Sequence, residues 1–221
     1  MYHPYRIYSP CLMVLLSLAT ASWCLADELP LCIERSQSSS IESQIKAHSI
    51  PQEELLSRLV YAESQSTGFP EDPLVYEGIA WGVMNRVRLG EKFPSQARIY
   101  GAGMAGVIFK KGQFNPAISL KSPYSKEFLC PSHGARWQWA LEAFRGTQDP
   151  HQNPFLQTSW EQQHGISLAV NFYYPTSIQA RSTEAPWEHD KSLIFLGEVS
   201  IKNTVLSARK IRFYRLAHPP K

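Results

Sequence analysis

Glu63 is the residue whose type and setting could do chemistry. It follows Leu56 by seven positions, Leu59 by four and Val60 by three. In a helix these spacings set its carboxylate on the apolar stripe, close to the C-terminal end. Burial and the negative end of the helix dipole both disfavour the anion there, so both raise its pKa. A carboxylic acid that keeps its proton near neutrality is what protonation of a glycosidic oxygen requires. The competing reading is a helix that stops early and leaves Glu63 solvated at its end. The seven histidines make a weaker case. None forms His-Glu-x-x-His or another tight pair, and His133, His151, His164 and His189 are scattered through polar segments that suit a surface. A zinc amidase, which needs three such ligands, is therefore the lesser enzymatic reading, and no metal or other cofactor is expected.

The elements that must position Glu63 follow from periodicity. From Pro51 the pattern is helical, with Leu55, Leu56, Leu59 and Val60 on one face, until Gly68 and Pro70 break it. A second helix is expected from Pro73 to about Arg88, with the proline in its first turn. Val75, Ile79, Val83 and Val87 form one row of it, while Gly78, Gly82 and Asn85 form a row of small residues open to a close neighbour. A third runs from about Gly134 to Arg145, where Trp137, Ala140, Leu141 and Phe144 share a face and Gly146 ends it. Ala169-Val-Asn-Phe-Tyr-Tyr174 reads as a strand or extended segment, and Ile211-Arg-Phe-Tyr-Arg-Leu216 as a short edge strand or a tail. The expected fold class is mainly α with a minor β component.

The N-terminus reads as a signal for export. Arg6 precedes the apolar run Cys11-Leu-Met-Val-Leu-Leu-Ser-Leu18, and small residues lead to Cys24-Leu-Ala26 before Asp27. That order marks residues 1–26 as a secretory signal peptide, and the run is too short to span a bilayer. A periplasmic or extracellular location is the expectation, with no transmembrane anchor after cleavage. Removing 26 residues leaves 195, with 21 basic against 19 acidic side chains. A charge of +2 suits an anionic polymer surface, and without a basic block it gives no reason to expect nucleic acid. Residues 27–50 read as a polar segment or linker before a domain over 51–221, and the Ser- and Gln-rich stretch Ser36–Ser49 within them as a linker or a loosely packed polar helix. The mature chain keeps Cys32 and Cys130, an even pair that suggests a disulfide in an oxidising compartment; two unpaired thiols are the alternative.

Three sequence blocks carry a family resemblance. Leu56-Ser-Arg-Leu-Val-Tyr-Ala-Glu63, Gly82-Val-Met-Asn-Arg-Val87, and Gly106-Val-Ile-Phe109 with Gly112-Gln-Phe-Asn-Pro116 resemble the SleB-type (spore-cortex-lytic) cell wall hydrolases in order and separation. A looser likeness continues through Trp137–Gly146 and Ala169–Pro175 to Pro186-Trp187. The stretch 93–104 looks longer than in that family, and the C-terminal block departs from its pattern. The resemblance implies a lysozyme-like, lytic transglycosylase-like domain that cuts peptidoglycan glycan strands between N-acetylmuramic acid and N-acetylglucosamine, with Glu63 as the catalytic acid. It brings in Asn85, Gln113, Phe114, Tyr173 and Tyr174 as candidate substrate-binding residues. Asn85 could equally be a buried amide serving backbone groups, and Phe114 could pack inward from a plain turn. If residues 169–174 form a strand, Tyr173 and Tyr174 point to opposite faces and only one can meet the sugar. A non-catalytic wall-binding or assembly protein is the alternative from another functional class.

Overall fold

Proline and paired charges start the central helix. In the computed structural model, which describes residues 28–221, Pro51 precedes α2 (Gln52–Ser66), with Glu53 and Glu54 in its first turn. Glu54 accepts a hydrogen bond from Arg58 Nε at 2.8 Å. Leu55, Leu56, Leu59, Val60, Tyr61 and Ala62 are all buried, so α2 is enclosed on most sides rather than laid on a surface. It packs against α3 (Pro73–Lys92) and α8 (Gly134–Gly146). The three expected helices are thus present. α3 runs one turn beyond Arg88, started by Pro73 and by the Asp72 side chain, which accepts from Leu74 N at 3.0 Å.

Residues 28–50 do not form a linker. Their helix α1 (Ile41–Ala47), capped by Ser40, buries Ile41 and Ile45 in the main core beside Ile33. Ile33 N donates to Leu129 O at 3.0 Å, and the buried guanidinium of Arg58 donates to Leu31 O at 2.5 Å and Leu129 O at 2.7 Å. Cys32 and Cys130 are bonded, with Cα atoms 4.2 Å apart. The Ser/Gln composition hid three isoleucines that are enough to dock the segment. The boundary expected at residue 51 therefore does not exist in the fold, and residues 1–26, read as a signal peptide, lie outside the described residues.

Short helices fill the middle of the chain: α4 (Pro94–Tyr100), α5 (Gly103–Ile108), α6 (Asn115–Ile118) and α7 (Ser125–Leu129). The long stretch 93–104 is accounted for by α4, which packs on α3. After α8 come a 3-10 turn at Pro150–Gln152 and α9 (Ser159–His164). α9 opens on a capping box in which Thr158 and Glu161 serve each other's backbone N–H groups.

The β component is small and antiparallel. β1 (Ala169–Tyr173), β2 (Leu193–Phe195) and β5 (Arg212–Leu216) form one sheet in the order β1-β5-β2, and β3 (Val199–Ile201) pairs with β4 (Thr204–Leu206). The expectation of an edge strand or tail at Ile211–Leu216 is corrected: β5 is the middle strand, and Phe213 and Tyr214 are buried on its two faces. The glycine row of α3 allows the sheets to approach it. A Cβ at Gly82 would lie 2.7 Å from the Phe172 ring, and one at Gly78 would lie 2.7 Å from Leu206 Cδ2. Among the described residues the fold is mainly helical with a minor antiparallel component, and no helix is long and apolar enough to cross a membrane.

Candidate active site

Glu63 lies one turn before the end of α2 and is only 6% exposed, so it is not a solvated terminal residue. It borders a cleft of about 300 Å³. Helices α2 and α3 contribute Glu63, Ser66 and Arg86; residues 112–116 form one wall, and Asn171–Tyr174 with parts of 177–187 form the other. Glu63 is the sole carboxylate bordering this cleft among the described residues. Glu71, Asp72 and Glu77 instead pair with Arg136, Lys210 and Lys202 elsewhere.

Burial pushes the Glu63 carboxyl up to about 7, against the opposing pull of the Tyr174 hydroxyl and the Arg86 charge. The expected desolvation of a carboxylate on an apolar stripe is therefore met, and it outweighs both neighbours that favour the anion. Tyr174 is pushed well above the ordinary phenol range by burial and by Glu63. Its Oη is buried and meets hydrogen-bond geometry with no protein group, although it is near enough to Glu63 to favour the anion. Such an atom, beside a cleft, is suited to a ligand oxygen or a bound water.

Arg86 is the cleft residue that the sequence reading did not single out. Its Nε donates to Val170 O at 2.5 Å and its Nη1 to Gln113 Oε1 at 2.6 Å. The guanidinium carbon sits 4.8 Å from the Phe172 ring centroid, 5.1 Å from Phe114 and 5.5 Å from Tyr100. Burial lowers it to about 10, partly offset by Tyr100, Tyr174 and Glu63. A signal was available: Arg86 lies four residues after Gly82, on the face of α3 that a packed neighbour must cover. A cation on such a face is rare without a purpose.

The remaining candidates divide. Gln113 borders the cleft and is oriented by Arg86. Phe114 also borders it but is 2% exposed; its ring packs on Phe172 with centroids 6.0 Å apart and supports Arg86 rather than presenting a flat face to a sugar. Asn85 as a sugar ligand is corrected. It is fully buried, outside the cleft, donating to Ala169 O at 2.8 Å and accepting from Asn153 Nδ2 at 2.7 Å. Its task is to bind β1 and the 150s loop to α3.

Tyr173 and Tyr174 both border the cleft, contrary to the expectation that only one would. β1 ends at Tyr173, so Tyr174 is free of the pleat that would send it to the opposite face. Tyr174 turns its phenol to Glu63, whereas Tyr173 donates to Ser182 O at 2.7 Å and meets Trp187 edge-on. The Nε1 of Trp187, another cleft residue, is a second buried donor with no protein acceptor. Among the described residues no three His, Cys, Asp or Glu side chains are grouped so as to hold a metal ion. In comparison with known proteins, the chain matches no family model, no curated protein and no solved structure.

Proposed function

We propose that the protein is an exported peptidoglycan glycosidase of the SleB-like, lysozyme-like kind, acting as a lytic transglycosylase with Glu63 as its only catalytic carboxyl. The observation that carries this reading is a single, desolvated carboxyl pushed up to about 7 beside a cleft bordered by tyrosine, tryptophan and amide side chains. Flat apolar faces and amides suit the two faces and the hydroxyl rims of sugar rings. A hydrolase with two catalytic carboxyls needs a partner about 5–9.5 Å from the first. No second carboxylate borders the cleft among the described residues, which supports the single-acid scheme.

In that scheme neutral Glu63 gives its proton to the glycosidic oxygen as the bond to C1 of N-acetylmuramic acid breaks. The resulting carboxylate then takes the proton of the muramoyl 6-hydroxyl as that oxygen bonds to C1. Glu63 ends protonated again, and the product is a 1,6-anhydro sugar formed without water. Arg86 and Tyr174 favour the carboxylate midway through this cycle, while burial restores the acid. The Cys32–Cys130 bond, which ties the N-terminal segment to the end of α7, suits work outside the cytoplasm.

Purified protein incubated with sacculi, followed by mass spectrometry of the released muropeptides, tests the reading. Anhydro products from the wild type, and none from Glu63→Gln, are expected. Products heavier by one water would assign a hydrolase instead. Binding to sacculi with no glycan product from the wild type would leave a non-catalytic wall protein.

A further inference from the structure

Most of the buried or half-buried arginines in this fold have an ion-pair partner. Arg58 pairs with Glu54, Arg136 with Glu71, Arg212 with Glu188 and Arg215 with Glu161. Arg86 is 5% exposed and forms no ion pair with any carboxylate of the described residues. Its protein contacts are neutral: two carbonyl-type oxygens and three aromatic rings. A buried cation without an anion is costly unless a ligand completes it.

The geometry also leaves one edge of that cation unused. Nε and Nη1 are engaged, whereas Nη2 makes no hydrogen bond to the protein and Arg86 borders the cleft. The one carboxyl bordering the cleft, that of Glu63, is near enough to act on Arg86 electrostatically but forms no ion pair with it. Beside Arg86 stands the Tyr174 phenol, close enough for the two to interact electrostatically. A cationic N–H donor with no protein acceptor, set beside a phenol O–H, makes a cradle for an anionic oxygen.

Resting on the glycan-cleaving function proposed above, we infer that Arg86, with Tyr174, forms a subsite for the free lactyl carboxylate of N-acetylmuramic acid. In peptide-bearing wall that carboxyl is consumed in an amide to the stem peptide, and it carries no charge. The favoured substrate is therefore glycan already stripped of stem peptides. The reaction that must supply it is hydrolysis of that amide, which adds water and releases the carboxylate together with the peptide amine.

The test uses the full-length mature protein and a peptide-free tetrasaccharide of alternating N-acetylglucosamine and N-acetylmuramic acid, as the free acid and as its methyl ester. Calorimetric titration should show the acid binding about 10–100-fold tighter, the range of one charge-assisted hydrogen bond. Arg86→Gln should abolish that preference, and the preference should shrink with added salt. Equal binding of acid and ester by the wild type overturns the inference, even if the variant fails to fold. Cleavage of sacculi with equal binding removes this subsite but not the glycosidase. Preference for the acid with no glycan cleavage on any substrate removes the glycosidase but not the subsite.

Discussion

Replacing Glu63 by glutamine should change stability in a way that depends on pH, independently of any substrate. Between its ordinary 4.5 and the folded value of about 7, the folded chain holds a proton that the unfolded chain has released. Raising pH through that window therefore favours unfolding. The loss begins near pH 4.5 and is complete above about pH 7, where it amounts to about 3 kcal/mol. Glutamine has nearly the same shape and no charge to desolvate. The Glu63→Gln protein should thus match the wild type near pH 4.5 and exceed it by about 3 kcal/mol at pH 8. For a chain of this size that corresponds to roughly 6–12 °C in Tm. Circular-dichroism melts of both proteins across pH 4.5–8 measure it, and other titrating groups cancel in the comparison. A Tm difference that stays constant over this range would mean that Glu63 ionises as an ordinary carboxylate, and the proton-donor argument would fail with it.

Three further outcomes are expected. Tyr174→Phe removes a hydroxyl that favours the Glu63 anion, so the alkaline limb of kcat/KM should move upward and the rate should fall about five- to tenfold, the worth of one hydrogen bond. Because that hydroxyl meets no protein group in full hydrogen-bond geometry, Tm should hold at pH 4.5, where Glu63 is neutral; a fall of several degrees there would count against its place at the cleft. Gly82→Ala drives a Cβ into the Phe172 ring that supports Arg86, and should cost about 1–3 kcal/mol in urea unfolding together with activity. Gly146→Ala, with open space around it, is the control expected to change neither. Opening the Cys32–Cys130 bond by Cys130→Ser should destabilise by about 2–5 kcal/mol, since a loop of 98 residues is released; identical urea midpoints with and without reductant would refute this.

The long helices were legible because each repeats apolar residues over several turns, and Leu56, Leu59 and Val60 were enough to aim Glu63 inward. The carboxyl's environment was legible for the same reason: a stripe of leucines implies desolvation whatever packs on it. What completes the cleft was not. Its far wall comes from residues 171–187, more than 100 positions after Glu63, and no local period records a contact at that distance. Arg86 and Asn85 are adjacent in sequence, and the family likeness drew attention to the amide. A turn of about 100° per residue sends Arg86 toward the cleft and Asn85 into the interior. A helix in the N-terminal segment was legible, but its docking was not, because composition averages over position and Ile33, Ile41 and Ile45 are few but all dock.

The placement of β5 sets an order of events. Arg212–Leu216 joins β1 to β2, two strands that have no pairing with each other, so neither belongs to a sheet until the last strand arrives. During vectorial synthesis or passage through a secretion pore, α2 and α3 can form and meet early, since their contacts are local. The wall that carries Tyr174 must wait for residues about 40 positions further on. A partly emerged chain would hold Glu63 on a helix facing no opposite wall, and would gain a complete cleft only when nearly all of it had emerged. Under the wall-cutting function proposed above, assembly itself would then delay the onset of activity.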